Sequence, residues 1–218
     1  MFQIASGCST FRPFDSIAQA SIVAALYVSW DDKYTVSLAI FDLDNTLIGG
    51  DSDVLWGRYL GQHELVDVKE MERRQEAFYQ DYLAGRLDIY EFLEFQLHIL
   101  TQHDMQTLLG WREEYIREQI LPVMLPKAKE LLDRHRAAGD TLMIITATNR
   151  FLTQPIADLL DISLLIAPEP EIVDGCYTGR IEGIPSFADG KVKRLNQWLE
   201  EHQQDLLGSW FYSDSHND

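Results

Sequence analysis

The stretch Ser37-Leu38-Ala39-Ile40-Phe41-Asp42-Leu43-Asp44-Asn45-Thr46 decides the fold of this chain. Its first five residues form a compact apolar run, which is typical of a strand buried on both faces of a parallel sheet. The run then passes into acidic and polar residues, as a core strand does when its C-terminal end carries a site. We therefore predict the first core strand at 37–41 and a candidate site directly after it.

The sequence beyond residue 125 alternates between helical and strand patterns. Predicted helices and strands follow one another at 127–138, 141–146, 151–160, 164–167, 191–203 and 210–213. Asp174-Gly175 separates two short β-rich runs and is a strong hairpin-turn signal. This order predicts an α/β fold with a Rossmann-like, mostly parallel sheet, helices on both faces, and ligands bound beyond the carboxyl ends of the strands.

The segment between the first two core strands is helical in pattern. Apolar residues recur at helical spacing in 64–84, 87–100 and 104–120, and Pro122 and Pro126 end the block because the residue before a proline avoids helical geometry. We predict an α-helical cap at 51–125 inserted into a catalytic core made of 36–50 and 126–218. Residues 1–35 lack a regular pattern and are predicted to be an N-terminal extension, with translation beginning near Val36 as one hypothesis.

Charge and cysteine content limit the function classes. The 218 residues include 18 basic and 35 acidic side chains, and the formal net charge of −17 disfavours nucleic acid and anionic lipid as partners. A phosphorylated substrate would need local attraction from a bound cation, a lysine or backbone N–H groups. Two cysteines suggest a reducing compartment, and the apolar stretch 17–30 is too short to span a bilayer, so we expect a cytoplasmic protein without a membrane segment.

Four short segments are predicted to meet at one edge of the sheet. They are Asp42 to Thr46, Thr146, Lys191, and Asp214 with Asp218. Taken singly, each has an ordinary structural explanation, such as a helix cap or a solvated lysine. Together and in this order they resemble the four motifs of the haloacid dehalogenase superfamily, the first being its D-x-D-x-T signature. The similarity extends from about residue 36 to the end of the chain.

This resemblance implies a Mg²⁺-dependent phosphomonoester hydrolase that forms an aspartyl-phosphate on Asp42. Asp44 would be the general acid and base, while Thr146 and Lys191 would hold the phosphoryl oxygens. Mg²⁺ would be bound by Asp42, by the backbone carbonyl of Asp44 and by Asp214. Asp218 would orient bound water. These hard oxygen donors suit Mg²⁺.

The helical insertion resembles the cap of phosphoserine phosphatase-like members, with histidinol-phosphate phosphatase-like proteins as the nearest group. The implied partner is a small phosphate ester, either histidinol phosphate or phosphoserine, and the oligomeric state stays open. Asp51 and Asp53 are candidate ligands for a substrate amine, although Asp53 is equally well explained as a helix N-cap. Because relatives continue with a helix and a strand after the fourth motif, the alternative is a catalytically impaired binding or regulatory protein of the same fold.

Overall fold

The computed structural model describes residues 37–215. All of them belong to the compact unit Val36–Asp218. The predicted N-terminal extension 1–35 and the predicted site residue Asp218 lie outside the described residues. Within residues 37–215, no helix has the length and apolar character needed to cross a bilayer.

The core is a parallel sheet of four strands. The strands of the described chain are β1 (Leu38–Phe41), β2 (Thr141–Ile145), β3 (Leu164–Ile166), β4 (Glu169–Val173), β5 (Cys176–Glu182) and β6 (Trp210–Tyr212). The parallel sheet has the order β3-β2-β1-β6, and β4 pairs with β5 in a separate antiparallel hairpin. The predicted α/β fold with a mostly parallel sheet is confirmed, and the strand boundaries agree with prediction to within two residues.

Alternate residues of the strands point to opposite faces of the sheet, and both faces are covered by helices. Ala39 and Phe41 point into one hydrophobic cluster, which also contains residues of α5 (Pro126–Ala138) and α6 (Arg150–Leu159). Leu38 and Ile40 point into a second cluster, which α7 (Asp189–His202) covers with Leu199. Because successive strand residues face opposite sides, a run of four buried residues requires cover on both. All four residues of β1 are buried.

Four α-helices lie between β1 and α5, and each begins directly after an aspartate. They are α1 (Ser52–Gln62), α2 (Val68–Leu83), α3 (Ile89–Leu97) and α4 (Met105–Tyr115). The side chains of Asp51, Asp67, Asp88 and Asp104 accept hydrogen bonds from backbone N–H groups of the first turn. Such N-caps satisfy donors that have no partner within the helix.

These caps correct several predicted boundaries. The helix predicted from residue 64 begins at Val68, and the one predicted from residue 87 begins at Ile89, because the capping aspartates fix the starts. The helix predicted at 104–120 leaves α-helical geometry after Tyr115 and continues as a π-helical turn at Ile116–Ile120. Asp53 is not an N-cap, since Asp51 has that position. The division of this unit into a core and a cap domain stays a prediction.

The β4–β5 hairpin connects the core to the inserted helices. It packs against α3 and against the 3₁₀ turn His98–Gln102 that follows α3. The Tyr177 ring lies edge-on to Phe151 of α6 at a centroid distance of 5.6 Å. A Cβ atom at Gly179 would lie 3.1 Å from the Thr101 side chain, so the hairpin backbone approaches the turn closely. The hairpin therefore contacts both the inserted helices and α6 of the sheet layer.

The start of α7 depends on a glycine. A Cβ atom at Gly190 would lie 2.0 Å from the carbonyl oxygen of Pro185, a separation no real atom pair adopts. The Gly190 N–H donates to the carbonyl of Phe187 at 2.8 Å in the same tight approach. Lys191 follows directly, so the glycine also sets the position of the lysine.

Replacing Gly190 by alanine should destabilise the protein by about 1–3 kcal/mol, because the added carbon forces the backbone of the first turn away from Pro185. Urea unfolding followed by circular dichroism measures this. The matched control is Gly110→Ala in α4, where a Cβ meets nothing within 4 Å. That variant should be stabilised by roughly 0.5–1 kcal/mol, as for glycine replaced in a helix interior. Equal stability of the two variants would contradict the steric explanation.

Candidate active site

Polar residues follow three neighbouring strands at one edge of the sheet. Asp42 comes directly after β1, Thr146 directly after β2, and Asp214 two residues after β6. Lys191 lies in the first turn of α7. The chain order reverses across β1, since β2 lies on one side of it and β6 on the other. Ligands of open α/β sheets bind in the crevice at such a reversal. The site residues predicted from the sequence that follow β1, β2 and β6 lie at this point.

Asp42 and Lys191 form a buried ion pair. Lys191 Nζ donates to Asp42 Oδ1 at 2.9 Å, and the two side chains are 8% and 9% exposed. The Asp42 N–H donates to the carbonyl of Tyr212 at 2.8 Å, which fixes the backbone at the end of β1. A buried charge needs a partner, because leaving it unpaired costs about 3–5 kcal/mol. The pair therefore holds one carboxylate and one ammonium group at the same point of the crevice.

The loop after Asp42 brings Asp214 to the first motif. Leu43 accepts backbone hydrogen bonds from Thr46, Leu47 and Ile48, which folds the loop tightly. The Thr46 Oγ1 then accepts from the Asp214 N–H at 3.1 Å. This bond joins residues 168 positions apart in the sequence and places the fourth motif beside the first.

Asp44 is held by hydrogen bonds at both carboxyl oxygens. Its Oδ1 accepts from the Ser52 N–H at 2.7 Å, and its Oδ2 lies 3.0 Å from Thr148 Oγ1. Burial raises the pKa of Asp44 to about 7, and the negative charges of Asp51 and Asp42 act in the same direction. A carboxyl group with such a pKa can both donate and accept a proton near neutral pH.

Thr146 is fully buried behind the crevice, at 1% exposure. Its Oγ1 accepts the Thr148 N–H at 3.1 Å, and its carbonyl accepts from the Ser186 hydroxyl at 2.7 Å. Because the Thr146 oxygen is an acceptor in this contact, its own hydroxyl hydrogen is directed away from it. The hydroxyl hydrogen therefore remains available to another acceptor.

Thr148 joins Asp44 to Asp53, and neither of these two contacts was predicted from the sequence. Thr148 Oγ1 lies 3.1 Å from Asp53 Oδ2 as well as contacting Asp44, and the two residues are 3% and 5% exposed. Burial raises the pKa of Asp53 well above its usual range, with further contributions from Asp51 and Asp44. One signal was available: Thr148 stands two residues after Thr146, as Asp44 does after Asp42.

The donor types at the edge suit a hard cation. Burial is the main reason that the pKa values of Asp44 and Asp53 are raised, and neighbouring carboxylates add to it: Asp51 and Asp42 for Asp44, Asp51 and Asp44 for Asp53. Within residues 37–215, no group of three His, Cys, Asp or Glu side chains is placed to hold an ion. Mg²⁺ commonly takes only one or two protein carboxylates together with substrate phosphate and water. The carboxylates and backbone carbonyls at this sheet edge are donors of the kind that it prefers.

The sequence profile of the haloacid dehalogenase-like hydrolases matches residues 39–218. The chain belongs to this family. Among relatives, it is 44% identical to a protein named histidinol-phosphatase from Neisseria meningitidis, over 84% of each chain. It is 30% identical to Phosphoserine phosphatase SerB1 of Mycobacterium tuberculosis, over 83% of this chain and 59% of that protein.

Two solved structures share the architecture of this chain. A protein with unknown function from Bordetella pertussis superposes with a TM-score of 0.77 at 44% identity, covering 84% of both chains. A phosphoserine phosphatase described as a phospho-aspartyl intermediate analogue superposes with a TM-score of 0.62 at 19% identity, over 84% of this chain and 80% of the other. At that identity the second likeness shows the fold alone.

The buried Asp53 makes the stability of the metal-free protein depend on pH. Its folded-state pKa is raised, so between the unfolded and folded pKa values the native state binds more protons, and the free energy of unfolding falls as pH rises. Asp53→Asn should flatten this fall at pH values above the ordinary aspartate pKa of about 4. Urea unfolding in EDTA at several pH values measures it. Asp158→Asn, at an exposed position, makes the same charge change and should keep the wild-type slope. A wild-type slope in Asp53→Asn would contradict the assignment.

Proposed function

We propose that this protein is a Mg²⁺-dependent phosphomonoester hydrolase that acts on a small phosphorylated metabolite through an aspartyl-phosphate on Asp42. The observation that carries the proposal is the buried Asp42–Lys191 pair at the switch point of the sheet. It supplies a carboxylate nucleophile next to a fixed positive charge. Asp44, with a pKa of about 7, stands two residues away as acid and base.

In the first half of the reaction, an Asp42 carboxylate oxygen attacks phosphorus and the ester oxygen leaves. Lys191 and the Thr146 hydroxyl hold the non-bridging phosphoryl oxygens, which attracts the anion despite the acidic surface. Asp44 donates its proton to the leaving oxygen, so the alcohol departs without developing full negative charge. The products of this step are the free alcohol and phosphorylated Asp42.

In the second half, the Asp44 carboxylate accepts a proton from the water that attacks the phosphorylated Asp42. Phosphate is released and both aspartates regain their initial states. Asp42, the Asp44 carbonyl and Asp214 would hold Mg²⁺, and Asp218 would orient nearby water. Bound Mg²⁺ neutralises charge between the carboxylates and the phosphoryl group. This neutralisation suits a site in which carboxylates outnumber the lysine.

We propose histidinol phosphate as the preferred substrate, with phosphoserine second. The relative with 44% identity and matching length is named histidinol-phosphatase, which supports the first. Aromatic side chains also border the site: the Tyr82 hydroxyl of α2 lies 3.0 Å from Ser215 Oγ, and the Tyr82 and Phe187 rings are 6.3 Å apart. An imidazole ring packs on such side chains better than a serine group does.

Replacing Asp42 by asparagine should remove the nucleophile and lower phosphatase turnover by at least about 10³-fold with a chromogenic phosphate ester and Mg²⁺. Asp133→Asn is the matched control, because Asp133 is exposed and forms surface ion pairs with Lys129 and Arg136. The turnover of this variant should match wild type within about two-fold. EDTA should abolish wild-type activity, and added Mg²⁺ should restore it.

Acid-quenched protein should carry covalent phosphate in the wild type and none in Asp42→Asn. Retained turnover in Asp42→Asn would remove this residue from its role. Phosphate-ester binding by folded wild-type protein, with no turnover in Mg²⁺, would favour the alternative of a catalytically impaired binding protein.

Histidinol phosphate should be hydrolysed with a kcat/KM at least roughly ten-fold above that for phosphoserine, the scale of discrimination that a few pocket contacts provide. A coupled phosphate-release assay with both esters at equal Mg²⁺ measures the ratio. A ratio below one would reverse the order proposed here without affecting the role of Asp42.

A further inference from the structure

The orientation of the Asp44 carboxyl depends on two donors from different parts of the chain. The Ser52 N–H at the start of α1 holds Oδ1 at 2.7 Å, and the Thr148 hydroxyl after β2 contacts Oδ2 at 3.0 Å. A carboxyl group held at both oxygens cannot rotate about its Cβ–Cγ bond without breaking one of these contacts. The hydroxyl of Thr148 is therefore one of two restraints on this group.

Thr148 is itself fixed. Its N–H donates to Thr146 Oγ1 at 3.1 Å, and its hydroxyl lies 3.1 Å from Asp53 Oδ2. Because a hydroxyl has one hydrogen, Thr148 can donate to Asp44 while protonated Asp53 donates to Thr148 Oγ1. Asp53 Oδ1 has no hydrogen-bond partner within residues 37–215, although the residue is almost fully buried. An unpartnered buried polar atom is destabilising. Asp51, not Asp53, caps α1. Within residues 37–215 the Asp53 side chain forms no ion pair, and its hydrogen-bonded contact is with Thr148.

We propose that Thr148, anchored by Asp53, is a positioning residue that holds the Asp44 carboxyl in the orientation from which it protonates the leaving oxygen. This inference rests on the proposed function. Thr148 touches neither the phosphoryl group nor the nucleophile in this role, and it acts only through Asp44. Orientation matters because proton transfer is efficient only when donor and acceptor are held in line.

The role predicts a dependence on the leaving group that a merely structural residue would not produce. An alkoxide needs the proton from Asp44, whereas 4-nitrophenolate leaves readily without one. The constant kcat/KM reports events up to the first irreversible step, which is departure of the alcohol. A misoriented Asp44 should therefore lower kcat/KM for an alkyl phosphate and leave that for 4-nitrophenyl phosphate almost unchanged.

The experiment compares Thr148→Val, Thr148→Ala and Thr148→Ser in the full chain with Mg²⁺. Substrates are 4-nitrophenyl phosphate and the better hydrolysed of histidinol phosphate and phosphoserine. The first two variants should lose roughly 10- to 100-fold in kcat/KM for the alkyl ester and less than about two-fold for the aryl ester. Thr148→Ser keeps the hydroxyl and should restore the alkyl ester value to within about three-fold of wild type.

Thr153→Val is the matched control, because Thr153 is also fully buried in α6 and its hydroxyl donates to the backbone carbonyl of Asn149, the N-cap of that helix. It should leave the ratio of the two kcat/KM values unchanged. Equal losses on both esters, or no loss on either, in Thr148→Val and Thr148→Ala would overturn the positioning role. If the wild type hydrolyses neither ester, the proposed function is overturned together with this role. That outcome differs from the loss of the positioning role alone, in which the wild type remains active.

Discussion

Electrostatic repulsion among carboxylates at the end of β1 is the constraint on which the site depends. Asp42, Asp44 and Asp53 are drawn together by the strand and by the first turn of α1, and burial denies them the screening that water would give. The Lys191 ammonium offsets part of this repulsion through its 2.9 Å contact with Asp42. The tight turn at Gly190, where no side chain fits, sets the position of that lysine. Lys191 thus stabilises a cluster of carboxylates that would otherwise be unfavourable in the folded protein.

The same groups link the inserted helices to the chemistry. The Tyr115 hydroxyl of α4 donates to the Ser52 carbonyl at 3.0 Å, and the Ser52 N–H donates to Asp44. Trp56 packs against Tyr115 and Phe151 with ring centroids 5.2 and 5.9 Å away. One hydrophobic cluster runs from the sheet face into these helices. The Asp44 carboxyl is therefore held by packing that begins in the inserted helices.

Much of the fold could be predicted from the sequence, because the relevant signals are local. The apolar runs before Asp42 and Thr146 mark buried strands, and the alternation after residue 125 indicates a parallel sheet. Helix starts were misplaced where Asp67 and Asp88 fix them, since capping depends on which backbone N–H groups the side chain reaches. The contact of Thr148 with Asp53 spans 95 positions and follows from tertiary packing, which no local pattern encodes. The position of Asp42, Thr146 and Asp214 at one sheet edge could be predicted, because each follows an apolar run that forms a parallel strand.

The β4–β5 hairpin restricts how the crevice can admit a ligand. Its close packing on α3 and the following turn ties one side of the helical block to the sheet layer. On the other side, the Tyr82 hydroxyl at the end of α2 lies 3.0 Å from Ser215 Oγ in the loop after β6. Any movement of the helical block away from the sheet would have to separate the packed hairpin on the first side. Relative motion of the two layers should therefore be smallest at the hairpin.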